Sequence, residues 1–410
     1  MTKRQNAHLT YKGNVGVGRH GWLRLTPAYS VRLVRDAVRA HPKDVVVTDP
    51  FSGTGTTALA AAEHGGQGQA VDVNPFLIWL GNTKLRHYGD AAVNDAEQSL
   101  ADVLAAARDL MGKPDLWQPP IFRIERWWSP SSLDGLKAVR AAVDATPAGP
   151  ARDLLDIALC RALIGVSNAA FNHQSMSFRS GLGSIPAGFD MAEAEAVLAR
   201  YRREAEEIIA SAAADLPGCG VVVEGDSRDT GLSRLSTGCD LLLTSPPYVN
   251  RMSYIRELRP YMYWMRYLDG AAAAGELDWL AIGGTWGLAT SRLTEWSTTE
   301  TTPVDHEMGP VCRAISAAGG KNGPLLATYV RRYFDDIWCH LQSAFTHVRS
   351  GGTATYIIGN STFYGHVVPA EQWYATMLRE AGFRDVSVTR IRKRNSKKEL
   401  FEFDVSATKP

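Results

Sequence analysis

No part of the 410-residue chain constrains its fold more than the stretch from Val45 to Ala62. Val45-Val46-Val47-Thr48 is β-branched and apolar, the composition of a buried strand. Asp49-Pro50-Phe51-Ser52-Gly53-Thr54-Gly55-Thr56-Thr57 follows, and Ala58 to Ala62 then reads as a helix broken at Gly65-Gly66. A strand, a glycine-rich turn and a helix N-terminus form one unit of an α/β sheet and a cradle for a ligand at its end. The glycines let backbone approach a bound molecule with no Cβ in the way. The next apolar strand, Gln69-Ala70-Val71, ends in Asp72. An acidic residue about twenty positions after such a loop sits where a ribose diol can be held. No Walker lysine follows the glycines, which argues against a phosphate-gripping loop. A glycine turn that merely joins strand to helix is the plainer alternative.

Two later strands end in polar chemistry as well. Val221-Val222-Val223 leads into Asp226-Ser227, and Leu241-Leu242-Leu243 delivers Thr244-Ser245-Pro246-Pro247-Tyr248. Two successive prolines fix φ at about −65° and remove two N–H donors. The carbonyls of Ser245 and Pro246 are thereby kept out of a helix and left able to accept from a ligand. With the Ser245 hydroxyl and the flat face of Tyr248, they make a small rigid cup suited to a planar heterocycle with an exocyclic amino group. An ordinary proline turn capping a strand is the competing reading. In an open α/β sheet, ligands bind outside the carboxyl ends of strands, and all three polar strand ends fall on that one edge.

The rest of the chain divides around this pattern. A helix starts around Pro27 to Ser30. From Asn74 to about Gly218 the strand–turn–helix rhythm stops, and 91–112, 151–170 and 190–214 have helical spacing. This predicts a helical insertion, 89–217, between two parts of one domain, 1–88 and 218–410. Within it, Arg123, Arg126, Trp127 and Trp128, and the polar stretch from Asn172 to Ser180, are candidate nucleic-acid contacts. His173 there reads as a surface or hydrogen-bonded histidine. Arg251 to Leu268 reads as a helix whose aromatics face the core, and 269–324 as a long loop, either a lid or a binding segment. A helix (Leu325 to Val348), a strand (Thr353 to Ile358), a helix (Pro369 to Ala381) and a strand (Val386 to Ile391) close the sheet. The basic run from Arg390 to Lys398 is either a solvated hairpin turn or a phosphate-contacting patch.

Composition narrows the function class. Formal net charge is +1, so any polyanion contact has to come from local patches. Five widely spaced cysteines without a C-x-x-C pair argue against a disulfide framework or a zinc site and fit a reducing compartment. The N-terminus is polar, and no apolar run reaches the roughly eighteen residues of a membrane span. The expectation is a cytoplasmic enzyme with no membrane partner.

Residues Asp49 to Thr57 resemble motif I of S-adenosylmethionine-dependent DNA amino-methyltransferases, and Thr244 to Tyr248 resembles their motif IV in the form typical of cytosine-N4 enzymes. The helix after Pro27-Ala28-Tyr29-Ser30 is similar to motif X, and Asp72 and Asp226 stand at the motif II and III positions. The resemblance covers roughly residues 20–80 and 218–405. It implies a Rossmann-like class I methyltransferase fold: a mostly parallel seven-stranded sheet flanked by helices, here with a helical insertion. It further implies S-adenosyl-L-methionine as cofactor, no metal, and transfer to the N4 amine of a cytosine flipped out of double-stranded DNA. An adenine-N6 DNA enzyme and an RNA guanine-N2 enzyme are the alternatives. The resemblance also implies association with the nucleoid, and either a cognate restriction endonuclease as genetic partner only or an orphan modification enzyme with none. Carried over residue by residue, the catalytic candidates are Ser245, Pro246, Pro247 and Tyr248. The cofactor candidates are Tyr29, Asp49, Phe51, Gly53, Gly55, Thr56, Asp72, Asp226 and Ser227. Ser175, Ser177, Arg179, Arg251, Arg392, Arg394, Asn395 and Lys397 are the nucleic-acid candidates. In this chain motifs III and IV are almost contiguous, and the extra sequence lies at 74–218 and 269–324. That leaves open which insertion reads the DNA.

Overall fold

The computed structural model describes residues 9, 11–14, 16–25, 29–170, 177–178, 190–228, 232–235, 238–250, 253–284, 288–298, 301–394 and 399–410. Seven strands form the main sheet: β1 (Val46–Asp49), β2 (Gln67–Asp72), β3 (Cys219–Glu224), β4 (Cys239–Thr244), β5 (Val348–Gly359), β6 (Arg384–Lys393) and β7 (Phe401–Thr408). Their spatial order is β6-β7-β5-β4-β1-β2-β3. β1 runs parallel to both its neighbours, with Val47 opposite Gly68 of β2 and Leu241 of β4. β2 and β3 are parallel, as are β4 and β5, while β7 runs antiparallel to β5 and β6. This is the mostly parallel, Rossmann-like sheet that the strand–turn–helix pattern predicts. After β3 the chain returns past β1 to lay down β4. The order therefore reverses between β1 and β4, where an open α/β sheet leaves a crevice at its carboxyl edge.

Both faces of the central strands are covered, which is why β1 and β4 read as unbroken apolar runs. On one face α1 (Val31–Arg39) and α2 (Thr56–His64) bury Val34, Val38, Ala60 and Ala61 against Val47, Leu241 and Leu243. On the other, α12 (Gly323–His347) and α13 (Ala370–Glu380) pack Phe334, Ile337 and Tyr374 over Val46, Leu242 and Ala354. Each fully buried Val, Leu, Ile or Phe among them is worth about 1.5–3 kcal/mol. α1 begins where Ser30 accepts the Arg32 amide, and α3 (Pro75–Leu85) begins where Asn74 accepts that of Phe76.

The insertion contains α4 (Asp90–Leu110), α5 (Pro130–Ala145), α6 (Pro150–Gly165) and α7 (Met191–Ala212). These helices share one apolar cluster with α3 and with α8 (Tyr254–Trp264), the helix that follows the proline turn. Phe76 of α3 stacks on Tyr261 of α8 with ring centroids 5.8 Å apart. The buried guanidinium of Arg19 fastens the joint, donating to the carbonyls of Lys84 and Arg86 at the C-terminal end of α3 and of Ala212 and Ala214 at that of α7. It satisfies orphan carbonyls at two helix ends with one cation. Trp127 and Trp128, expected among nucleic-acid contacts, lie in this core instead, where Trp128 donates to the Leu163 carbonyl at 2.8 Å. Flanking arginines disguised a buried pair.

The segment 269–324 is not a long loop. It holds α9 (Ala271–Leu280), α10 (Leu288–Glu295) and α11 (Asp305–Ala318). Ala271 to Ala274 is a run of the best helix former, and Asp305 and Glu307 favour the first turn of α11. Counting Gly, Thr and Ser hid these local signals. β7 also escaped the sequence reading, although Phe403, Val405 and Ala407 are buried at strict two-residue spacing. Among the described residues, no helix is long and apolar enough to cross a membrane. None of their His, Cys, Asp and Glu side chains cluster in a way that could hold a metal ion.

Candidate functional site

The carboxyl ends of β1, β2, β3 and β4 open into one cavity of about 940 Å3, its mouth included. The turn after β1 contributes residues 50–54 and Thr56, and β2 contributes Asp72 with Val73 and Asn74. β3 contributes Gly225, Asp226 and Ser227, and β4 contributes Ser245 and Pro247. Tyr29 closes one side and 280–282, at the C-terminal end of α9, another. The glycine turn and the double-proline turn thus share one rim.

The glycine turn is held from below and from the side. Gly53 and Gly55 have φ of 51° and 74°, the left-handed region open to glycine, and Gly55 caps α2. The Gly53 and Asn74 amides donate to the two oxygens of Asp72, each at 2.9 Å. Burial raises the Asp72 pKa to about 6, against the lowering effect of those amides. Beneath the turn, the Lys84 ammonium donates to the Thr54 carbonyl at 2.9 Å, and burial drops its pKa to about 7. The Ser52 hydroxyl lines the cavity, buried and with no hydrogen-bond partner among the described residues. Asp49 and Gly55 do not border the cavity. Asp49 ties β1 to β4, accepting from Thr244 Oγ1 at 2.6 Å and from the Phe51 amide at 3.0 Å. Burial raises its pKa to about 7.

At the β3 end, the Asp226 carboxylate is already engaged. Arg228 Nε donates to both of its oxygens at 3.0 Å and Nη2 to Oδ2 at 2.5 Å. The same guanidinium reaches Asp336 of α12 and the Leu280 carbonyl, each at 2.9 Å, so it fastens 280–282 against the site. Phe51 stands edge-on to His340, with centroids 4.8 Å apart. His340 is fully buried and its pKa falls to about 4, so it is neutral at ordinary pH. The Ser227 carbonyl can only accept, so Nδ1 carries the proton and donates to it at 3.1 Å. Nε2 then accepts from the Tyr356 hydroxyl at 3.0 Å.

Around the proline turn, Ser245 Oγ donates its proton to the Ile357 carbonyl at 3.0 Å. With that proton committed, its lone pairs remain as acceptors. Pro246 is buried away from the cavity, and the Pro247 carbonyl already accepts from Tyr333 at 2.7 Å. The hydroxyl of Tyr248 donates to Glu402 at 2.9 Å, and the ring lies under the Arg394 guanidinium at 4.8 Å. Tyr248 does not line the cavity; Tyr254, at the start of α8, does. Arg392 is bound to Glu402 at 2.6 Å, so both arginines marked for phosphate contact sit beside Tyr248. Ser175, Arg179, Arg251, Asn395 and Lys397, the side chain of Ser177, and His173 lie outside the described residues.

The sequence reading missed Ser52, Tyr254 and 280–282 as cavity residues. Ser52 was legible as a hydroxyl inside the glycine turn. Tyr254 carried the periodicity of a core aromatic, and 280–282 reaches the site through α9, which no local pattern reports.

No family model matches the sequence, and no curated protein matches it. In a structural comparison the chain aligns with the rRNA methyltransferase aviRa from Streptomyces viridochromogenes at 12% identity and a TM-score of 0.29. The alignment covers 93% of this chain and 86% of that one. A score that low does not establish a common fold, so function has to be argued from the site.

Proposed function

We propose that this chain is an S-adenosylmethionine-dependent methyltransferase that modifies the N4 amine of cytosine in duplex DNA. The observation that carries the reading is the shared cavity: Gly53 and Asp72 on one wall, Ser245 and Pro247 on the other. A methyl donor and an amine acceptor have to meet, and the two turns share one rim.

The residues suit the cofactor. The ribose hydroxyls have an acceptor in Asp72, whose oxygens keep lone pairs beyond those used by the Gly53 and Asn74 amides. Ser52 supplies a buried hydroxyl awaiting a partner. Phe51 offers an aromatic ring to a cation. Asp226 is tied up by Arg228, so adenine contacts fall to its remaining lone pairs and to Ser227. When bound, the cofactor supplies a methyl group on a positively charged sulfur.

The acceptor side follows from the amine. The lone pair of an exocyclic amine is delocalised into its ring and makes a poor nucleophile. Ser245 Oγ, its own proton held by Ile357, accepts an N–H of that amine and favours a pyramidal nitrogen. Alignment supplies the rest. A serine before the prolines, as in the cytosine-N4 enzymes the motif resembles, accepts without adding charge. The base has to leave the duplex to reach this depth, at a cost of about a few kcal/mol.

Two measurements test the proposal. Calorimetry should show S-adenosylmethionine binding, and genomic DNA from a methylation-free host expressing the chain should yield N4-methylcytosine on digestion to nucleosides. Absence of cofactor binding, or DNA without a modified base, overturns it.

A further inference from the structure

Arg392 and Arg394 are two residues apart on the same hairpin edge and are held in opposite ways. Arg392 makes two charge-assisted bonds to the buried Glu402 carboxylate, Nε to Oε2 at 2.6 Å and Nη2 to Oε1 at 3.0 Å. Glu402 also receives the Tyr248 hydroxyl and so fixes that ring. Arg394, among the described residues, pairs with no carboxylate. Its Nη1 donates to the Asn360 carbonyl at 2.9 Å, and its guanidinium lies 4.8 Å from the centroid of Tyr248.

The backbone makes room for this arrangement. A Cβ on Gly359, at the end of β5, would stand 2.1 Å from Arg394 Nη1 and 3.0 Å from Tyr248 Cδ2. Any side chain there would displace the guanidinium. A guanidinium is flat, delocalised and stacks on aromatic faces much as a nucleobase does.

We propose that Arg394 sits in the nucleobase's own seat on Tyr248, and that it has to leave before a base can stack there. This rests on the reading of Ser245 to Tyr248 as an amine-accepting cup. Glu402 and Arg392 hold the ring in place, and Arg394 sets the threshold for entry. A base already paid for by flipping displaces one cation–π contact and one bond to a neutral carbonyl, without breaking an ion pair.

The test uses the full chain, S-adenosylhomocysteine and free 2′-deoxycytidine, a neutral probe that gains nothing from phosphate contacts. Wild type, Arg394→Ala and Arg394→Lys are compared by equilibrium dialysis, with urea midpoints confirming that all three are folded. The alanine variant should bind the nucleoside about three- to thirty-fold more tightly, the range given by removing one competing cation–π contact. Arg394→Lys should show a smaller gain, because an ammonium can still make a cation–π contact but has no flat face to fill the seat. No gain in Arg394→Ala, or wild-type behaviour in Arg394→Lys, overturns the proposal. If wild type binds S-adenosylmethionine and methylates DNA while neither variant gains affinity, only the role of Arg394 fails. If wild type does neither, the methyltransferase reading fails, and this proposal with it.

Discussion

The backbone amide of Gly53 donates to the carboxylate of Asp72 across 2.9 Å, which joins the turn after β1 to the end of β2. One bond thereby sets the shape of the glycine turn and aims the carboxylate that borders the cavity. A substitution at Asp72 acts on both.

Asp72→Ala should therefore weaken S-adenosylmethionine binding by about ten- to a hundred-fold, the loss of a charged acceptor with its partners left unpaired. Titration calorimetry reads it directly. Maximal turnover at saturating cofactor should change far less.

Cofactor binding should also depend on pH. The Asp72 carboxyl titrates at about 6, and its ionised form is the better acceptor for ribose hydroxyls. Affinity should fall as pH drops through 6 and level off above about 7. Asp72→Asn, which cannot ionise, should flatten that profile.

Ser245→Ala should cut turnover by about a hundred- to a thousand-fold, as removal of a single catalytic hydrogen-bonding group does elsewhere. Cofactor affinity should stay within a few-fold. Tyr248→Ala should abolish methylation with the same spared affinity, and full activity in it would count heavily against the cup.

Two buried charges should give the stability opposite pH slopes. Asp49 titrates at about 7 when folded and about 3.9 when unfolded. Between those values the folded chain holds a proton the unfolded chain has lost, and stability falls as pH rises. Lys84 titrates at about 7 when folded and about 10.4 when unfolded. Across that window the unfolded chain holds the extra proton, and stability rises with pH. Urea unfolding should show Asp49→Asn flattening the acid limb and Lys84→Met the alkaline one.

What the sequence revealed was local. Asp49 to Thr57 and Thr244 to Tyr248 announced strand ends because β-branched runs, glycines and prolines act within a few residues, and the sheet carries both turns on one edge. Long-range partners were invisible. Arg228 lies two residues from Asp226, but nothing near it signals that its guanidinium will also reach Asp336 of α12 and the Leu280 carbonyl. Nothing near Tyr248 signals Glu402 and Arg394, both more than 140 positions later. The same blindness made Trp127 and Trp128 candidate nucleic-acid contacts, when Trp128 is packed against Trp264 of α8 and bonded to the Leu163 carbonyl of α6.

The central claim is that a methyl group crosses from the glycine-turn side of this cavity to an amine held at Ser245. Purified protein incubated with duplex DNA and S-adenosylmethionine carrying an isotopic methyl label tests it, with the DNA then digested to nucleosides. The label should appear in N4-methyl-2′-deoxycytidine for wild type and vanish for Ser245→Ala. Label absent from every nucleoside, or equally present with the alanine variant, would contradict the account.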